Sequence, residues 1–210
     1  MFNPPYWYYD NVKFSDIEII NLKTDLFGSE KTEEMSKIVD YVNSLGLNIP
    51  KLKIDPVRQI STYHYDMDNK PDNIFKERYD VIVEDILKSV GVLKNVEYKH
   101  TFWAQLYQKG MLHAPHHHGE DDISWVHFLN VPKEKLFRFT DTEGNVYVPQ
   151  EQNNGDIICF PSWVWHEVMP LKTDCLRLVS AGNISFTSHD VLYTYSGTPN
   201  NSSGVKIHYV

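Results

Sequence analysis

The sequence predicts an α+β protein in which an N-terminal helical layer backs an antiparallel β-sandwich or barrel. Up to about residue 95, apolar residues recur at helical spacing. From Val96 onward the texture becomes strand-like, with short apolar runs separated by turn signals, which is the pattern of a sandwich or barrel. Helices first and strands after is the α+β order in one compact unit.

Residues 1–28 read as an extended aromatic arm followed by one strand, Asp16-Ile17-Glu18-Ile19-Ile20. Ser29 to Leu45 reads as an amphipathic helix, because Met35, Ile38, Val39, Val42 and Leu45 share one face and Gly46 supplies the stop. The segment Ile49–Tyr65 contains Pro50 and Pro56 and reads as loop with short strand pieces. Pro71 opens a second helix to about Val90, with Phe75, Tyr79, Ile82 and Ile86 on one face and Gly91 beyond it. Both helices serve as packing layers in this reading. Strands follow at Glu97–Tyr107, Ile123–Val131, Leu136–Thr140, Val146–Val148, Asp156–Phe160 and Cys175–Phe186. The run Asp141-Thr142-Glu143-Gly144-Asn145 is a hairpin turn joining two of them. The chain thus divides into an arm with two helices (1–95), a β-core (96–186) and a polar, tyrosine-bearing tail (187–210), within one domain.

A chain of 210 residues, 41% hydrophobic and 23% charged, is large enough to bury a core without staples. The net charge of −8 and the lack of a Lys/Arg block disfavour non-specific binding to nucleic acid. The two cysteines, Cys159 and Cys175, lie in apolar runs and read as small buried hydrophobes of a reducing compartment. A disulfide between them is not indicated. The N-terminus lacks the basic and apolar regions of a signal peptide, and no apolar run reaches membrane-spanning length. The expectation is a soluble, intracellular protein.

Two fragments carry chemistry. His113-Ala114-Pro115-His116-His117-His118-Gly119-Glu120-Asp121-Asp122 packs four imidazoles and three carboxylates into ten residues. The second, Gly155 to His166, is an apolar strand that turns through Pro161-Ser162-Trp163 and delivers one more imidazole. Neutral imidazole and carboxylate are ligands for borderline divalent metals such as iron(II). In an extended segment His116, His118, Glu120 and Asp122 point one way and His117 the other. Two strand-borne ligands could then grip one ion, with His166 as the third. A solvated or adventitious metal-binding tract is the bland alternative, and the pairing with the Gly155–His166 fragment weighs against it. Farther on, Arg177 sits inside the apolar run Cys175–Ser180. A buried arginine is costly unless it meets an anion, and its planar fork suits a carboxylate, either of a ligand or of a structural ion pair.

The segments His116/His118, Ile123–Phe128, Gly155…Phe160-Pro161-Ser162…His166 and Arg177…Asn183, in that order over residues 103–186, resemble the iron(II)/2-oxoglutarate-dependent oxygenases. They are most similar to a branch, frequent in bacteria and bacteriophage, with His-x-His and Phe-Pro-Ser-(x)3-His motifs. The resemblance implies a double-stranded β-helix, a cupin-like jelly roll with the metal in its mouth. It implies a dioxygenase that uses Fe(II), 2-oxoglutarate and dioxygen to hydroxylate an unidentified substrate, releasing succinate and CO2. It also implies the cytoplasm of a bacterium or of a phage-infected host. By resemblance His116 and His166 are metal ligands and Arg177 clamps the far carboxylate of 2-oxoglutarate. Tyr107, on one strand face with Trp103 and Gln105, either contacts the cosubstrate or packs the core.

The family motif is His-x-Asp/Glu, whereas this chain has His118 two residues after His116. Two registers therefore compete: His116/His118, giving an all-histidine triad with His166, and His118/Glu120. The Gly110-(x)5-His116 spacing favours the first, leaving Glu120 or Asp122 to complete the shell or to orient an imidazole. The same segments also resemble the two cupin motifs, Gly110-(x)5-His116-x-His118-(x)3-Asp122 and Gly155-(x)5-Pro161…His166. A cupin-type metalloenzyme without 2-oxoglutarate is thus the alternative. A jelly-roll binding or virion module stapled by metal is the non-enzymatic one.

Overall fold

The computed structural model describes residues 2, 4–9, 12–27, 59–63, 70–92, 96–187 and 206–208. In chain order the elements are β1 (Tyr6–Tyr9), α1 (Asp16–Phe27), β2 (Ile60–Ser61), a 3-10 turn (Pro71–Phe75), α2 (Lys76–Ser89) and β3 (Tyr98–Tyr107). Then come β4 (His113–His116), β5 (Ile123–Asn130), β6 (Phe137–Thr140), β7 (Val146–Tyr147), β8 (Ile157–Pro161), β9 (His166–Val168), β10 (Arg177–Phe186) and β11 (Lys206–His208). The strands form a seven-stranded sheet, ordered β11-β1-β8-β5-β10-β3-β2, and a four-stranded sheet, ordered β4-β9-β6-β7. The pairings within both are antiparallel, the jelly-roll-like arrangement expected of the β-rich half.

The strand expected at Asp16–Ile20 is instead the first part of α1. Ser15 and Glu18 explain this. The Glu18 carboxylate accepts from the Ser15 backbone N–H (2.9 Å) and hydroxyl (2.6 Å), while the Glu18 N–H reaches back to Ser15 Oγ (3.4 Å). This reciprocal capping box fixes a helix start. Ile19, Leu22 and Leu26 then face the core at helical spacing, and Ile17 and Ile20 are left in solvent. The isoleucine-rich opening carries β-propensity, but the cap and the buried stripe override it. The helix expected over Ser29–Leu45 lies outside the described residues. The second helix begins as a 3-10 turn at Pro71 and buries Phe75, Tyr79, Val83, Ile86 and Leu87.

The large sheet is buried on both faces, which is why β3 from Phe102 to Tyr107 shows no exposed position. Phe102, Ala104 and Leu106 face the helices, together with Trp125, Cys159, Leu178 and Ile184. Tyr107 belongs to the core between the two sheets, with Val126, Phe128, Phe137, Phe139, Phe160, Val168 and Val179. A polar pin crosses the helical layer. Val12 O accepts from His127 Nε2–H (2.7 Å), so His127 Nδ1 is the acceptor for the Tyr79 hydroxyl (2.9 Å). The Asp141–Asn145 turn joins β6 to β7, with Gly144 at φ +82° and the Asp141 carboxylate accepting from the backbone of Glu143 and Asn145. Both cysteines are free; Cys159 is buried as expected, but Cys175 is exposed, because β10 begins only at Arg177. Among the described residues no helix is long and apolar enough to cross a membrane.

Candidate metal centre

In the small sheet β4 pairs with β9 so that His116 stands opposite His166. His118 follows β4 and is tied to the turn after β8 by its backbone N–H, which donates to Ser162 O (2.8 Å). The ring centroids lie 4.2 Å apart for His116–His166, 5.1 Å for His116–His118 and 5.3 Å for His118–His166. One nitrogen from each of the three rings falls within 4.8 Å of the other two, a group that could hold a metal ion. His113 stacks on His116 at 3.9 Å. His117 points away, packed against the Trp165 ring at 4.6 Å.

Backbone carbonyls orient two of these rings. His116 Nδ1–H donates to Ala114 O (2.9 Å) and His166 Nδ1–H to Val164 O (3.0 Å), which leaves an Nε2 lone pair on each. Burial lowers the pKa of all three imidazoles, that of His118 to about 4, and repulsion from neighbouring imidazoles (His117 for His116, His116 for His118 and His166) adds to the effect. At neutral pH they are uncharged, the form a metal requires.

The carboxylates are placed elsewhere. Glu120 is exposed and outside the group. The Asp122 carboxylate accepts the Phe186 N–H (2.7 Å), and that of Asp121 accepts from Asn183 Nδ2 (2.5 Å) and the Ser185 hydroxyl. The cluster is therefore all-imidazole.

Arg177 opens β10, opposite Tyr107 in the β3–β10 register, and is 2% exposed. Its guanidinium lies over the Tyr107 ring at 4.7 Å and near that of Phe128 at 5.8 Å. Nη1 and Nη2 are buried, with no hydrogen-bond partner among the described residues; desolvation lowers the pKa of the group, and the neighbouring Tyr107 hydroxyl opposes that shift in part. The Tyr107 hydroxyl donates to Gln105 Oε1 (3.0 Å). One cavity is lined by Arg177, Gln105, Trp103 and the three histidines. In the sequence Asn183 stands out only as the end of the Arg177…Asn183 motif, and nothing there assigns a contact to it, to Asp121 or to His113. Strand parity would have put Asn183 on the β10 face of Arg177, but its partner Asp121 lies 62 positions away and carries no local signal.

No protein-family model matches the sequence, and no curated protein does. Solved structures do. A prolyl-4-hydroxylase from Pseudomonas putida is 17% identical with a TM-score of 0.50, covering 85% of this chain and 92% of its own. HygX from Streptomyces hygroscopicus, with nickel and 2-oxoglutarate bound, is 11% identical with a TM-score of 0.51, covering 88% of this chain and 83% of its own. The likeness is one of fold.

Proposed function

We propose that this protein is an iron(II)- and 2-oxoglutarate-dependent dioxygenase on a double-stranded β-helix, hydroxylating a substrate that its chemistry does not yet name. One observation carries the reading: a neutral three-imidazole cluster shares one cavity with a buried guanidinium whose Nη1 and Nη2 have no hydrogen-bond partner among the described residues. A divalent metal fits the donor set, since imidazole suits iron and its neighbours in the first transition row. A dicarboxylate fits the opposite wall, since a buried cation without an acceptor is costly until a carboxylate meets its fork. A metal staple alone would have no need of that cation, which favours the enzyme over a binding or virion module and over a cupin without 2-oxoglutarate.

In this reading His116, His118 and His166 hold the metal and Arg177 binds the far carboxylate of 2-oxoglutarate. Bound iron and 2-oxoglutarate supply the oxidation of a C–H bond by dioxygen, coupled to release of CO2 and succinate. The rings of Tyr107 and Phe128 pack against the guanidinium, which lines the cavity. Tyr107 acts through that stacking and through its hydroxyl on Gln105, which keeps the amide on the cavity wall in one orientation. Val179, Phe160 and Phe137 line the same space and keep water from the cosubstrate.

The test is anaerobic titration with iron(II) and 2-oxoglutarate, which should produce a visible metal-to-cosubstrate charge-transfer band. Arg177→Met should weaken 2-oxoglutarate binding by about 100-fold or more, the scale of a broken buried charge pair, and leave metal binding intact. Equal loss of both ligands, or a flat spectrum, would turn the assignment toward the cupin or structural alternative. Metal stoichiometry settles the register: His118→Ala should lose the ion and Glu120→Ala should keep it.

A further inference from the structure

Among the described residues the large sheet ends in β2, a strand of two residues paired with β3. Thr62, wholly buried, pins it in place: its N–H donates to Ala104 O (3.1 Å) and its Oγ1 accepts the Ala104 N–H (2.9 Å). Ile60 packs against the helix-side core. Alternation then turns Gln59, Ser61 and Tyr63 to the other face, the one from which Gln105 and Trp103 line the cavity. Two contacts agree with this. Gln59 Nε2 lies 3.3 Å from His113 Nδ1, and the Tyr63 ring stands edge-on to the Trp103 indole at 5.0 Å. His113 and Trp103 both line the cavity; the first stacks on His116 at 3.9 Å and the second lies 5.9 Å from His118.

The chemistry of this row is narrow. Of the described side chains lining the cavity, Arg177 alone carries a permanent charge, and in the reading above 2-oxoglutarate takes it up. Gln59, Ser61 and Tyr63 add none. A charged group brought here would lose its water and find no counter-ion, which is the costly case. Gln59 is only half satisfied. Whichever way its amide is turned, one end meets the imidazole of His113 and the other is left over. Here that end is Oε1, buried and with no hydrogen-bond partner among the described residues. Such a group is expensive until a ligand answers it. Ser61 Oγ accepts the Tyr63 N–H (3.1 Å), fixing the turn that presents the phenol ring, and that ring is exposed. Tyr63 thus joins the solvent to the cavity through the indole of Trp103.

We propose that Gln59 and Tyr63 of this edge strand select the substrate, and that the substrate is uncharged, joining a flat ring to a neutral hydrogen-bonding group such as a carboxamide. The ring packs on the aromatic pair Tyr63 and Trp103. The carboxamide answers the amide of Gln59 beside His113, and it does so in either orientation, since it both donates and accepts. The proposal rests on the oxygenase reading above and adds to it the class of molecule that the centre admits.

The probes are benzamide, benzoate and benzylammonium, three molecules of similar shape and different charge. They are titrated into the chain loaded with zinc(II), which has no redox chemistry, and 2-oxoglutarate. Proton–nitrogen NMR follows the side-chain amide of Gln59 and the indole N–H of Trp103. Benzamide should move both and bind at least about tenfold more tightly than either ion, the worth of one hydrogen bond to a buried group set against the burial of a charge. Gln59→Leu should weaken benzamide by about tenfold and leave zinc and 2-oxoglutarate bound. Gln59→Glu should reverse the order in favour of benzylammonium, a gain that a merely structural role would not produce. The wild-type comparison needs no substitution, so a variant that fails to fold leaves the test in place. An ion that binds as tightly as benzamide, a Gln59 amide that benzamide leaves unmoved, or an unchanged affinity in Gln59→Leu overturns the proposal with the oxygenase reading intact. A chain that does not take up zinc(II) and 2-oxoglutarate removes that reading first, and the selection with it.

Discussion

Gly182 lies next to Asn183 in β10, beneath the indole of Trp125. A Cβ there would stand 2.5 Å from Trp125 Cζ2 and 2.6 Å from the carbonyl oxygen of Thr101. The second of these is backbone and cannot rotate away. Gly182→Ala should therefore destabilise the fold by roughly 1–3 kcal/mol, as overpacking does, and it should disturb the Asn183 contacts beside it. A urea midpoint equal to that of the wild type would show that β10 can shift at no cost. The requirement was illegible in the sequence, because Trp125 and Thr101 come from two other strands. Arg177 was legible for the opposite reason: a cation inside an apolar run announces its own cost. His116, His118 and His166 stood out by residue type and spacing, whereas the contacts of Asn183 with His118, Asp121 and Ser124 follow from no spacing rule.

Among elements, the long strands were readable because apolar runs and turn residues bound them, and β3, β5 and β10 fall within a few residues of their expected limits. The start of α1 was misread because isoleucine weighs toward strands, while Ser15 and Glu18 decide the matter locally. Short strands such as β4 and β9 have too few residues to show alternation; pairing with each other defines them. The helical layer is fastened to β5 through the Tyr79–His127–Val12 pin. Burial lowers the pKa of His127 to about 4, against about 6.5 for an exposed histidine. A lowered value means that the unfolded chain binds the proton first. The pin's contribution is therefore complete above about pH 6.5 and falls away as the pH drops toward 4, by up to roughly 3 kcal/mol. Urea denaturation at pH 7 and pH 4.5 should show this loss. It should be smaller in a Tyr79→Phe/His127→Leu variant, whose apolar pair has no proton to take up. An unchanged slope in that variant would assign the pH dependence to the other buried histidines, His100 among them.

At the scale of the molecule, the helices and the small sheet pack on opposite faces of the large sheet, and the candidate centre lies between the sheets. Strand β11, from the polar tail, pairs with β1 from the aromatic arm. That contact joins distant parts of the sequence and left no trace in local pattern. The two thiols sit at opposite extremes of this architecture. Cys159 is in β8, paired across the sheet with Trp7 on one side and Trp125 on the other, and burial raises its pKa. Cys175 stands in solvent ahead of β10. A bulky alkylating reagent should accordingly tag one position at once and the other only when the sheet parts, so mass spectrometry of the second tag becomes a stopwatch for whole-sheet opening. Simultaneous tagging of both would mean that β8 breathes independently of its neighbours.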